Sequence, residues 1–322
     1  MGTNHHGEIE PLSCCALPQV ALVNSIAPCH LEFLGSLEGI AGEKSRIFSG
    51  LPADGTAVIP RSCPAVEVLA EAAAPFRLLR FGEGGGCAVE AHYCGGRLEG
   101  SSFELRFADG ERFEISWSLT RRHQAVNAAA AAAAALAAGI APAVIAEGLE
   151  RTVLPGMRGK LVRSGGVTYL NDAYNANPAA CAPHSSIWPS LPTRKLILLL
   201  GEMRELGPES EAAHREIYGL AARLFPGARI VTVGDGFRNA GGGEHFASAA
   251  DARRVTAEAK PVTSFLPRGR AGSASSGVAG RGALNIEVTM EKAENGGRFP
   301  AMRPEGRPPL RCEGRYAGDF IF

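Results

Sequence analysis

The chain has 322 residues, enough for two domains, and its 33 basic and 33 acidic side chains cancel in formal charge. That balance removes any electrostatic case for nucleic acid or an anionic membrane as a partner. No apolar run approaches the roughly 20 residues of a bilayer-spanning helix, and the start Met1-Gly2-Thr3-Asn4-His5-His6 is not a basic segment followed by a hydrophobic one. The eight cysteines form no CxxC pair, so a reducing cytosol is the expected compartment, with no membrane insertion. A monomer is expected.

Taken in order, the apolar run Val20-Ala21-Leu22-Val23-Asn24 predicts a short strand that delivers the loop Ile26-Ala27-Pro28-Cys29-His30. A helix is expected over about 36–48, a buried strand over 56–59, a helix from 66 and a strand over 76–81. Alternation over 87–119, with the turn Ala108-Asp109-Gly110, predicts β-hairpins. Eight consecutive alanines follow Asn127, and alanine is the best helix former, so a helix should run from about 121 to Gly139. A short helix over 140–150 leads to a domain boundary at Pro155-Gly156-Met157-Arg158-Gly159.

Beyond it, 167–170 and the near-continuous apolar run 195–200 predict strands, the latter of the kind buried in a parallel sheet. A helix over 210–224 and a strand over 229–234 complete a βαβ rhythm. From 264 to 322 Gly, Arg, Pro and Ser dominate, and an irregular tail is expected, either a divergent end or the product of a frameshift.

The segment Asn171-Asp172-Ala173-Tyr174-Asn175-Ala176-Asn177-Pro178 stands out. It follows an apolar strand and crowds small polar groups into a turn, at the strand end where open α/β sheets place their sites. Alone it reads equally well as an ordinary Asx-rich surface turn. Four further segments precede or follow it: Met1 to Ile9, Asn24 to Glu32, Gly35 to Lys44, and Leu200-Gly201-Glu202-Met203-Arg204-Glu205-Leu206-Gly207 with His214.

In this order and spacing the five segments resemble the Mur ligases of peptidoglycan synthesis. The resemblance covers about residues 1–260. It implies an α/β chain: residues 1–154 as the remainder of a P-loop-type central ATPase domain, 155–263 as a Rossmann-like C-terminal ligase domain, and 264–322 as the irregular tail. The implied chemistry is ATP-dependent amide ligation. The carboxylate of a UDP-muramoyl tripeptide is phosphorylated, and the amine of D-alanyl-D-alanine attacks the acyl phosphate, with Mg2+ assisting.

The resemblance also implies roles. His30 falls where the family has a histidine near magnesium, and Lys44 where it has a carbamylated lysine. Gln124 takes the place of an asparagine that addresses the adenine, and Asn127 shares a helix face with His123 four residues before it. Asn24, at its strand end, can orient the region of Lys44 as a further cofactor-binding residue. Lys160 stands for an arginine near the phosphates at the domain junction, keeping the charge without the bidentate fork. Asp172 matches a ribose-contacting aspartate, and Tyr174, Asn175 and Asn177 keep the pattern that faces nucleotide or amino-acid substrate. Glu202 replaces a usual aspartate, and His214 reads as structural.

The family also needs a glycine-rich loop ending in Gly-Lys-Ser or Gly-Lys-Thr, whose amides cradle the phosphates. The 322 residues contain no such sequence; Gly82 to Gly86 encloses a glutamate and is followed by no lysine. A chain truncated at its N-terminus is therefore expected, and a catalytically inactive remnant of such a ligase is the alternative reading. An unrelated sugar-nucleotide-binding α/β protein is a third.

Overall fold

The computed structural model describes residues 1–97, 100–119, 121–153, 160–164, 167–171, 196–258 and 287–291. The first sheet has the order β1 (Val20–Leu22), β2 (Thr56–Pro60), β3 (Arg77–Gly82), β4 (Val89–Arg97), β5 (Gly100–Phe107), β6 (Arg112–Trp117). β1 through β4 run parallel, and β4, β5 and β6 are antiparallel hairpins. Every residue of β2 is buried, as a central strand covered on both faces requires.

One face carries helices α1 (Ile9–Ala16), α2 (Leu31–Leu34), α3 (Leu37–Ser45) and α4 (Val66–Ala73); the other carries α5 (Arg122–Ala137) and α6 (Pro142–Glu150). Two apolar clusters result. Ile40, Phe48, Ala57, Ile59 and Leu69 pack beneath α3 and α4, while Val58, Phe81, Phe103 and Ile115 pack against the alanines of α5. Alternate residues of β2 therefore feed opposite cores, the period-2 signature of a strand between two layers. Ala129, Ala132 and Ala133 are wholly buried, and their small side chains let α5 lie close on the sheet.

α3 starts at Ser36, whose hydroxyl accepts from Gly39 N at 3.1 Å. α1 has no cap of its own. Its first amides are held instead by Glu43 of α3, whose carboxylate accepts from Gly7 N at 2.8 Å and from Glu8 N and Ile9 N at 2.9 Å each. The buried Ser13 ties α1 to the 3-10 turn Arg46–Gly50, donating to Ile47 O and accepting from Gly50 N. Gly50 is required there, because a Cβ would lie 2.2 Å from Ser13 O.

The second sheet is built from β7 (Lys160–Ser164), β8 (Val167–Asn171), β9 (Leu196–Gly201), β10 (Arg229–Val233), β11 (Glu244–Phe246) and β12 (Glu287–Glu291), in the order β11-β10-β9-β12-β8-β7. β9, β10 and β11 are parallel, and β12, β8 and β7 are antiparallel. Leu196, Leu198 and Leu200 face the core under α7 (Ser210–Leu224), while Leu199 joins Val231, Val233 and Val255 under α8 (Ala249–Glu258).

Several expectations need correction. α1, α2, β11 and α8 are absent from the sequence reading, and β7 precedes the strand expected to open the second domain. The stretch 264–322, expected to be irregular, supplies β12, a strand inserted between β8 and β9. Its alternating Glu287-Val288-Thr289-Met290-Glu291 is too short to stand out within a Gly- and Arg-rich background. The boundary expected at 155–159 lies outside the described residues.

Candidate functional site

The loops at the carboxyl ends of β1, β2 and β3 and the first turn of α5 lie together, the place where an open α/β sheet forms a crevice. Asn24, two residues past β1, donates from Nδ2 to Asn127 Oδ1 at 2.8 Å, and Asn127 donates from Nδ2 to Gln124 Oε1 at 3.0 Å. Asn127 and Gln124 are one helical turn apart on α5, so their side chains meet. The relay ends in the carbonyl of Asn24 and the NH2 of Gln124. One end of the relay thus carries an acceptor and the other a donor. Asn24 is exposed, and Gln124 and Asn127 are half-buried.

Lys44, at the end of α3, reaches the same corner. Its Nζ donates to Ser25 O at 3.1 Å, next to Asn24. Lys44 thus approaches from one layer and Gln124 and Asn127 from the other, with the end of β1 between them. The adjacent Glu43 points the opposite way, into the α1 cap. Burial penalises its charge, but the three amide donors outweigh that and hold its carboxyl below the usual range.

On the β3 side, Glu83 takes both Nε and Nη2 of Arg122 at 2.8 and 2.9 Å, pinning the glycine-rich loop to the start of α5. Gly82 to Gly86 therefore works as an anchored turn whose carboxylate is already engaged.

His30 is engaged with the second domain. Its Nδ1 contacts Glu205 Oε2 of the second domain, 175 residues away in sequence. Sequence reasoning missed Glu205 as its partner, and also missed Glu43; neither spacing nor composition signals such long-range pairs.

In the second domain the carboxyl ends of β9 and β10 are occupied by the protein itself. Glu202 accepts from Gly236 N at 2.8 Å. His214 is fully buried, accepts from Met203 N at 2.9 Å through Nε2 and bonds Ser210 O at 2.6 Å through Nδ1. The ring is thus neutral with its proton on Nδ1. It stacks edge-on against Phe237. Of the remaining candidates, Asp172, Tyr174, Asn175 and Asn177 lie outside the described residues. Lys160 opens β7, paired with Asn171 across the ladder.

Magnesium takes oxygen ligands in octahedral geometry. His30 and Lys44 bring nitrogens, and among the described residues no group of three or more His, Cys, Asp or Glu is placed to hold a metal ion. The described residues do not make a magnesium site by themselves. Nor, among them, is any helix long and apolar enough to cross a membrane.

A three-layer α/β unit followed by a second open sheet defines a chain of the mixed α/β class. Residues 1–135 match the Mur ligase middle domain and residues 157–278 the Mur ligase glutamate ligase domain, the second match running past the end expected at 263. The chain belongs to the Mur ligase family. It is 32% identical over 256 residues to the UDP-N-acetylmuramoyl-tripeptide--D-alanyl-D-alanine ligase of Escherichia coli, covering 77% of this chain and 55% of that protein. The Bacillus subtilis protein of the same name is 34% identical over 218 residues, covering 67% and 46%. The crystal structure of MurF from Acinetobacter baumannii superposes with a TM-score of 0.69 at 27% identity, over 80% of this chain and 56% of that one. The chain spans about half the length of the curated relatives it matches.

Proposed function

We propose that this chain carries part of an ATP-dependent carboxylate–amine ligase of cell-wall synthesis. The reaction joins D-alanyl-D-alanine to a UDP-N-acetylmuramoyl tripeptide. The tripeptide carboxylate takes the γ-phosphoryl group, the dipeptide amine attacks the acyl phosphate, and phosphate leaves as the amide forms. One observation carries this reading: two family matches in the family's own order, with curated relatives of a single activity. We assign the first domain to 1–154 and the second to the residues from 155 on, with β12 included in its sheet.

In this reading Asn24, Gln124 and Asn127 hold the adenine, supported by the donor and acceptor at the ends of their relay. Asp172 addresses the ribose, Tyr174, Asn175 and Asn177 the nucleotide or amino-acid substrate, and Lys160 the phosphates. Carbamylation of Lys44 would replace an ammonium that repels magnesium with oxygens that attract it. His30 belongs to the same chemistry from the domain interface. The protein acts as a cytoplasmic monomer.

A second reading is a catalytically inactive remnant of such a ligase; the 322 residues include no Gly-Lys-Ser or Gly-Lys-Thr loop. Positioning and charge neutralisation are nearly the whole of phosphoryl-transfer catalysis, so these 322 residues by themselves are not expected to turn over ATP. The test is to incubate the purified chain with ATP, Mg2+, UDP-muramoyl tripeptide and D-alanyl-D-alanine, following ADP and the ligated product. The chain alone is expected to give neither. Measurable product would overturn the remnant reading.

A further inference from the structure

We propose that Glu205 is a positioning residue that orients the His30 ring and clamps the second domain onto the first. Among the described residues five non-glycine positions have positive φ, and two of them, His30 at 58° and Glu205 at 60°, are the partners in this one contact. Side-chain-bearing residues avoid that region unless their surroundings hold them in it, and such strain gathers at functional contacts. Here both backbones are turned in the same unfavourable way, and the result is that the two side chains meet.

The backbone reinforces the pair. Glu32 N points at Glu205 O at 3.5 Å, and Gly207, also left-handed, faces Glu32 so that a Cβ added to it would meet Glu32 Cα at 3.6 Å. The side chain of Glu205 and the main chain on either side of it therefore all face the loop that carries His30.

The contact also fixes the chemistry of the ring. A carboxylate only accepts, so Nδ1 of His30 must carry the proton, and in the neutral ring the lone pair sits on Nε2. A carboxylate behind a histidine sets its tautomer and orientation. Glu205 thus makes the position of a first-domain nitrogen depend on where the second domain lies. The clamp holds whatever reaction the chain takes part in, so it stands apart from the ligase reading.

The test compares full-length wild type with Glu205→Gly, which keeps the left-handed backbone without the side chain, and Glu205→Gln, which keeps an acceptor without the charge. Amide exchange over α2 in Glu205→Gly is expected to quicken about tenfold, with α5 and α7 unchanged. Wild-type protection of α2 in that variant would overturn the clamp. Nitrogen-15 shifts of the His30 ring give a readout that a purely structural role in the second domain would not move. Wild type should show the proton on Nδ1, and Glu205→Gln a shifted Nδ1 resonance. Identical His30 shifts in the two proteins would overturn the proposal even if Glu205→Gly fails to fold.

Discussion

The two domains place polar groups at the same topological position, the carboxyl ends of parallel strands, and use them in opposite ways. At the end of β1 the amides of Asn24, Asn127 and Gln124 bond to one another through their side chains, and we assign the two ends of this relay to a ligand. At the ends of β9 and β10, Glu202 and His214 turn inward and bond to Gly236 N, Met203 N and Ser210 O. The strand-end rule for locating sites therefore needs a second criterion: whether the polar groups found there are already satisfied by backbone.

That contrast is open to direct attack, and the largest effect is expected in the second domain. His214→Ala should lower its stability by about 3–5 kcal/mol, since it opens a cavity and strands the Met203 amide. Chemical denaturation followed by circular dichroism measures it; a loss under about 1 kcal/mol would mean that His214 is not the structural centre of its domain.

Next comes Glu43→Ala, expected to cost about 3 kcal/mol in the first domain by leaving three amides without their charged acceptor. A pH titration sharpens this. The folded carboxyl lies below the ordinary glutamate value of 4.5, so its contribution is complete above that value and lost as pH falls through the lower folded one. Glu43→Gln should flatten the acid limb of the stability curve. A Gln variant with the wild-type limb would assign acid lability elsewhere.

A smaller, different effect is expected at the relay. Asn127→Leu should weaken adenine-nucleotide binding by about tenfold, or 1.4 kcal/mol, with little change in melting temperature. Calorimetry with ADP checks it; unchanged affinity together with unchanged stability would remove the relay from the site. Smallest of all is Arg122→Ala. Its bidentate pair with Glu83 is solvent-exposed, so a loss of no more than about 1 kcal/mol is expected.

Elements with strong periodicity or composition were legible in the sequence. The helix Ser210–Leu224 falls on the span expected, and the alanine run forms α5. α1 was not legible, because its start is capped by Glu43, a residue 34 positions beyond Ile9. β12 was hidden by its surroundings, and β7 by its make-up, Lys160-Leu161-Val162-Arg163-Ser164, which holds only two apolar residues. Five ordered motifs revealed the family, and the strand-end position of Asn24 was readable from the apolar run before it. The pairing of His30 with Glu205 was not, since each sits in a loop whose neighbours say nothing of the other domain. Local signals reach across a turn or a strand, and contacts between domains leave no such trace.

The alanines of α5 carry a last consequence. A packing surface made of the smallest side chains has almost nothing to lose, since even Ala→Gly costs only about 1 kcal/mol in helix propensity. It has much to gain in the harmful sense. Ala129, Ala132 and Ala133 are wholly buried against the sheet, so each added methylene must push helix and strands apart. Gln124 and Asn127 ride on the same helix. Enlarging one of these alanines would therefore shift Gln124 and Asn127 before it unfolded the domain, making the helix a gauge of how far they stand from the end of β1.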